Sequence, residues 1–258
     1  MARKVRCPRC QNSKSWRLAS GKRRCSACRY DWRSGSLPVR LTAQQWRQLL
    51  RYFLLGLSAA SVAQETHLGR EQVLRALLLV RQAMARDIPP VFSGVVEIDE
   101  TYVGGTWRNK RLVERAQGTK RGRGTTKQAV FGILCRGGQI WAEVVPNVEA
   151  RTLLPLLRQQ VRTGSVVCSD TFTSYTGVAA KGYVHRLVDH SQTFSDRRGS
   201  HINGLEGFWG YLKRRLAAKG GIRRERLPLY LAEYVWRYNH RHLPVPKQVQ
   251  TLLKLLQS

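Results

Sequence analysis

The segment Gly94-Val95-Val96-Glu97-Ile98-Asp99-Glu100-Thr101-Tyr102 puts three carboxylates inside a run of strand-forming side chains. The chain around it has 258 residues, with 45 Lys and Arg against 16 Asp and Glu, and a formal net charge of +29. Acids this scarce need a reason to crowd into one strand. Period-two alternation places Val95, Glu97, Asp99 and Thr101 on one face and Val96, Ile98 and Glu100 on the other. Like charges this close repel, and burying an unpaired one costs on the order of several kcal/mol. A bound divalent cation offsets both costs. The alternative is an exposed edge strand that uses charge against aggregation, which the flanking valines and isoleucine disfavour.

Two later segments add acids of the same kind. Gly164-Ser165-Val166-Val167-Cys168-Ser169-Asp170 reads as a short apolar strand ending in an acid, although an Asp at a strand-to-helix turn also serves as an N-cap. Residues 201–215 read as a helix with Leu205, Phe208, Trp209 and Leu212 on its apolar stripe and Glu206 beside it. Lys213 falls seven residues after Glu206, on nearly the same face. Asn203 to Glu206 also has capping-box spacing, which leaves a purely structural role open for Glu206. Gly204, Gly207 and Gly210, spaced by three, form a smooth strip that another backbone, protein or DNA, could approach. Two strand-borne Asp and a helix-borne Glu are what a two-metal phosphoryl-transfer site needs, with Mg²⁺ or Mn²⁺ about 3.5–4 Å apart on hard oxygen ligands.

The N-terminal cysteines Cys7, Cys10, Cys25 and Cys28 read C-x2-C-x14-C-x2-C, two tight knuckles that suit a four-thiolate Zn²⁺ site. Four protein thiolates leave no open position, so the role is structural. Two disulfides are the alternative, and nothing in the chain points to an oxidising compartment. Trp16, Tyr30 and Trp32 are candidates to pack around the ribbon, while Cys135 and Cys168 lie in apolar runs and read as small core residues.

After Leu37-Pro38 the pattern turns helical. Thr42 is a candidate N-cap for a helix carrying Trp46, Leu49, Leu50, Phe53 and Leu54, followed by a short helix at 58–66, a His67-Leu68-Gly69 turn, and a third helix from Arg70 to about Arg86. This arrangement fits a helix-turn-helix and equally a three-helix packing unit without DNA contact. Pro89-Pro90 ends it. The modules are therefore 1–36, a zinc ribbon; 37–88, a helix-turn-helix-like DNA-binding module; and 91–258, an α/β catalytic domain. An apolar fraction of 42% supports a packed core, no 18-residue apolar stretch is present, and no apolar segment follows Met1-Ala2-Arg3-Lys4. A soluble cytoplasmic protein that binds a polyanion is expected, with no membrane partner.

Taken together, Glu97-Ile98-Asp99-Glu100-Thr101-Tyr102-Val103-Gly104-Gly105, Ser169-Asp170 with Ser174-Tyr175, His190-Ser191, His201-Ile202-Asn203-Gly204-Leu205-Glu206-Gly207-Phe208-Trp209, Lys213-Arg214 and Arg237-Tyr238-Asn239-His240-Arg241 resemble a known group. The chain is similar, over nearly its whole length, to bacterial insertion-sequence transposases of the ISXO type. These join an N-terminal zinc ribbon to a DDE catalytic domain of ribonuclease-H-like fold. The resemblance implies that Asp99, Asp170 and Glu206 are catalytic and hold Mg²⁺ or Mn²⁺, with Asn203 as the alternative third ligand. It implies that Lys213, with Arg214 beside it, contacts DNA near the reacting end. It also implies a mixed sheet with strands near 94–102, 128–135, 139–146, 165–170 and 183–188, and helices near 149–162 and from 201. The basic stretch 104–127, with Arg121 and Arg123, reads either as a loop that orders on DNA phosphates or as a solvated insertion. The implied activity is cleavage at transposon ends and strand transfer into target DNA, by a homodimer or larger synaptic complex in the bacterial nucleoid. A ribonuclease-H-like nuclease without strand transfer, or a zinc-ribbon DNA-binding regulator, are the competing functions. A ribosomal-type RNA-binding protein shares the charge but has no use for the three acids.

Overall fold

The computed structural model describes residues 6–32, 39–104, 127–170, 175, 177–187 and 203–257. The chain divides into two compact units, Met1–Met84 with Leu243–Ser258, and Ala85–His242.

In the first unit, β1 (Ser15–Arg17), β2 (Arg23–Cys25) and β3 (Asp31–Trp32) form an antiparallel sheet in that order. Arg24 and Asp31 oppose each other across β2 and β3 and pair through two hydrogen bonds of 2.6 and 2.7 Å. Trp32 is buried with Cys7 and Cys25, and Tyr30 packs beside them. Trp16 departs from expectation. It is 41% exposed, with the Arg29 guanidinium 5.5 Å from its ring, because so small a ribbon has apolar cover for one face only. The helices follow as α1 (Ala43–Leu54), α2 (Ala59–Thr66) and α3 (Arg70–Arg86). Thr42 caps α1 in a full capping box with Gln45, and Ser58 caps α2. His67 closes α2 in the left-handed region at φ 52°. The last helix of the chain, Val245–Gln257, packs on α1 and belongs to this unit, although by sequence it falls at the end of the 91–258 module.

The second unit is built on β4 (Val95–Val103), β5 (Gln128–Cys135), β6 (Ile140–Val145), β7 (Val166–Ser169) and β8 (Val184–Leu187). Their order is β6-β5-β4-β7-β8. The β4–β5 and β5–β6 pairs are antiparallel, and the β4–β7 and β7–β8 pairs parallel. That order and those directions make the ribonuclease-H-like mixed sheet that the resemblance implies, with each strand end within about two residues of its expected place. Helix α4 (Ala150–Gln160) covers one face, where Leu153 and Leu157 meet Val96, Ile98, Phe131, Ile133 and Tyr175. Helices α5 (Asn203–Ala217) and α6 (Leu227–Asn239) cover the other, where Leu205, Phe208, Trp209 and Leu231 meet Val130, Leu134 and Ile140. Successive residues of β5 thus alternate between two cores.

Among the described residues, no helix is long and apolar enough to cross a membrane. The outer edge of β6 is closed by a side chain. Asn239, buried at the end of α6, donates through Nδ2 to the Ile140 carbonyl (2.9 Å) and accepts through Oδ1 from the Ile140 N–H (2.8 Å). It does the work of a sixth strand at one residue. Asn239→Ala would leave two buried backbone groups unsatisfied. We expect it to destabilise the chain by roughly 2 kcal/mol or more, read as a lower melting temperature.

Candidate active site and metal centres

The three acids of β4 separate as the alternation requires. Glu100 turns to the α4 face and accepts a 2.5 Å hydrogen bond from the Tyr175 hydroxyl. Burial first, then the neighbouring Glu100 charge, push that hydroxyl well above its ordinary range. Glu97 and Asp99 turn to the α5 face. Glu97 Oε1 pairs with Arg136 (3.2 Å), and Oε2 accepts from the Leu205 N–H (3.0 Å). Asp99 Oδ1 accepts from the Glu100 N–H (2.8 Å), and Oδ2 from Trp209 Nε1 (2.9 Å).

A glycine makes that last bond possible. Gly132 lies opposite Asp99 across β4 and β5, and a Cβ there would stand 2.6 Å from two carbons of the Trp209 ring. The indole therefore lies directly on the β5 backbone with its N–H against Asp99. The sequence pattern puts Trp209 on the apolar stripe, and only the fold shows it as a donor. Gly132, inside an otherwise apolar strand, was the available sign of a close approach.

Asp170 follows β7 immediately. The parallel register pairs Glu97 with Cys168, so Asp99 and Asp170 each stand two residues beyond that pair on neighbouring strands. Asp99 is pushed up to about 7, chiefly by burial and then by the Glu100 charge, with Asp170 adding and the Trp209 hydrogen bond opposing. Negative charge thus converges between the middle of β4 and the end of β7. Each Asp99 oxygen spends one lone pair on a hydrogen bond and keeps another for a cation, so the donor set fits Mg²⁺ or Mn²⁺. Beside Asp170, Ser169 donates to the Asp170 carbonyl (2.8 Å) and contacts His185 Nε2 (2.8 Å).

Glu206 is exposed in the first turn of α5, next to Leu205, and Asn203 is exposed at the start of that helix. Lys213 and Arg214 are exposed farther along it. Of the glycine strip, Gly204 makes a close approach, to Glu97, whereas a Cβ on Gly207 would meet nothing within 4 Å. Arg121, Arg123 and most of the basic stretch 104–127, with residues 171–174 and 188–202, lie outside the described residues.

The four cysteines converge. Their ligand atoms lie within 4.8 Å of one another, and among the described residues no other group of three or more His, Cys, Asp or Glu does so. Asp99, Asp170 and Glu206 are not gathered to that distance. Cys7 and Cys28 sulfurs are 3.6 Å apart, and Cys10 and Cys25 3.5 Å. Those separations exclude disulfides, which need about 2.0 Å, and match a zinc tetrahedron whose bonds of about 2.3 Å imply edges of roughly 3.8 Å. Backbone N–H groups of Arg9 and Ala27 point at the Cys7 and Cys25 sulfurs (both 3.4 Å), as in a zinc knuckle. Hydrogen bonding, first from the Cys28 N–H, draws Cys25 down to about 6, while burial pushes Cys7 up to about 12.

Comparison with known proteins bears on residues 91–239, which match a family model described as an ISXO2-like transposase domain. A curated protein of Haemophilus influenzae, named as an uncharacterized transposase-like protein, is 36% identical over 120 residues, which cover 46% of this chain and 95% of that one. Among solved structures, a pre-cleavage Mos1 transpososome aligns over 89% of this chain and 83% of its own at 13% identity and a TM-score of 0.33. A simian T-cell lymphotropic virus intasome in complex with a PP2A regulatory subunit aligns over 76% and 69% at 10% identity and a TM-score of 0.38.

Two predictions follow from the electrostatics. A carboxyl raised to about 7 on folding supports the fold while protonated and withdraws that support as pH rises from about 4 through 7. Without divalent cation, Asp99→Asn should therefore melt higher than the parent chain near pH 8, and the gain should vanish below about pH 4. At the ribbon, Zn²⁺ uptake must displace protons from Cys7 and Cys10, both of which are raised. Affinity, measured by competition with a chromophoric chelator, should fall as pH is lowered from about 8 to 6.

Proposed function

We propose that this chain, which belongs to the ISXO2-like transposase family, cuts DNA at insertion-sequence ends and joins the freed 3′ ends to target DNA. The observation that carries the reading is Asp99 on β4 with Asp170 directly after the parallel neighbour β7, each two residues beyond the Glu97–Cys168 pair, in an acid-poor chain where burial and then the Glu100 charge, with Asp170 adding, push Asp99 up to about 7. Asp99, Asp170 and Glu206 would hold divalent cations, with Asn203 as the alternative to Glu206. Bound Mg²⁺ or Mn²⁺ would supply charge stabilisation at the phosphodiester and activate the attacking hydroxyl. Trp209 Nε1 fixes the rotamer of Asp99, so the carboxylate needs little rearrangement to bind a cation.

Lys213 is two helical turns beyond Glu206, and with Arg214 it offers cations to phosphates near the reacting end. Arg121 and Arg123 would extend that grip. The zinc ribbon and the α1–α3 module would bind the terminal repeats. The α3 face supports this with Arg70, Leu74, Arg75 and Leu78 all exposed along one stripe, a mix suited to base edges and thymine methyls. Two copies, one per transposon end, would act in a synaptic complex in the bacterial cytoplasm.

The test is single-turnover cleavage of a labelled terminal-repeat duplex with Mg²⁺, followed by joining to a target plasmid. Asp99→Asn, Asp170→Asn and Glu206→Gln should each abolish cutting yet retain DNA binding, while Asn203→Ala should cut. Activity in Glu206→Gln with loss in Asn203→Ala would exchange those two roles. Cutting without joining would identify a plain nuclease, and no metal-dependent cutting at all a DNA-binding regulator.

A further inference from the structure

Glu97 has no place among the three acids of the proposed chemistry, yet it is the most buried carboxylate on β4, 1% exposed. It lies beneath α5, two strand positions before Asp99 and on the same face. Burial of a carboxylate is tolerated only with partners, and Glu97 has two of a particular kind. Arg136 neutralises Oε1, and Oε2 receives the N–H of Leu205 in the first turn of α5. First-turn N–H groups have no acceptor within their own helix, and a helix N-terminus favours negative charge. Gly204 is what lets the helix come so close, since a Cβ there would stand 3.0 Å from Oε2 and 3.3 Å from Leu134 Cδ2.

A second tie lies one turn along, from Trp209 Nε1 to Asp99. The spacings match. Residues 205 and 209 are about 6.0 Å apart along a helix axis, and residues 97 and 99 about 6.6 Å apart along a strand. Two such ties fix both the rotation of α5 and its axial register against β4. Glu206, next to the residue Glu97 holds, inherits that placement.

We propose that Glu97 is a positioning residue: by clamping the Leu205 N–H it sets the register of α5 on β4 and brings Glu206 to Asp99 and Asp170. This rests on the reading of those three acids as divalent-cation ligands. Glu97 itself stays under the helix and touches neither cation nor DNA.

The experiment measures Mn²⁺ binding to the zinc-loaded full chain by electron paramagnetic resonance, with hydrogen exchange at residues 203–209 and melting temperature alongside. Glu97→Ala should weaken Mn²⁺ binding by about tenfold or more and speed exchange at the Leu205 amide. Glu97→Gln keeps an acceptor for that N–H and should recover most of the affinity. Asn239→Ala, destabilised at a distant edge, should bind Mn²⁺ as the parent chain does, which separates positioning from stability alone. Wild-type affinity in Glu97→Ala, or an equal loss in Asn239→Ala, would overturn the proposal. If Glu97→Ala does not fold, Gly204→Ala decides, because its methyl presses on Oε2: weakened Mn²⁺ binding supports the clamp, and unchanged binding overturns it. Undiminished Mn²⁺ binding in Asp99→Asn would instead overturn the cation-site reading beneath it.

Discussion

A sheet face that carries Glu97 and Asp99 cannot be covered by an ordinary apolar helix, because each carboxylate lost from water must find donors. Helix α5 meets that demand with two kinds of donor. Its own first-turn backbone serves Glu97, and the indole N–H of Trp209 serves Asp99. Both need the helix to come close to the sheet, and two glycines permit it: Gly204 on the helix and Gly132 on β5. Much of the second unit follows from this contact. The apolar stripe of Leu205, Phe208 and Leu212 seals the same face, and α6 packs beside it to close the edge of β6 through Asn239.

The same contact separates structure from chemistry among neighbouring acids. Glu97 is neutralised by Arg136 and by a backbone donor, so its charge is spent inside the fold. Glu100 is bonded to Tyr175 on the opposite face. Asp99 lies between them in sequence, burdened by burial and by the charges of Glu100 and Asp170. Under the proposed function, it is the acid that a bound cation would relieve. Burial, rather than charge alone, is what raises Asp99.

Some of this was legible in the sequence. Alternation along β4 sorted Glu97 and Asp99 from Glu100, and the strand and helix boundaries followed from apolar runs and from caps such as Thr42 with Gln45. Cysteine spacing announced a four-thiolate site, and the sulfur separations removed the disulfide alternative. Other features were hidden because they depend on what meets across the sheet. Nothing local to Trp209 shows that its N–H will find an acid 110 positions earlier. Nothing in Asn239 announces that it will pair with the backbone of Ile140. The last helix carries an apolar stripe that suits any core, so its partner, α1, appears only in the fold.

By itself, then, the sequence determined the scarce acids, their faces on β4, the cysteine cluster and the alternation that builds a mixed sheet. These are properties of residue type and spacing, and short-range geometry is enough to express them. Only the tertiary structure decided which acid would be neutralised and which left under strain. That choice depends on desolvation and on donors delivered from distant segments, Arg136, Leu205 and Trp209, through a helix register that no local pattern encodes.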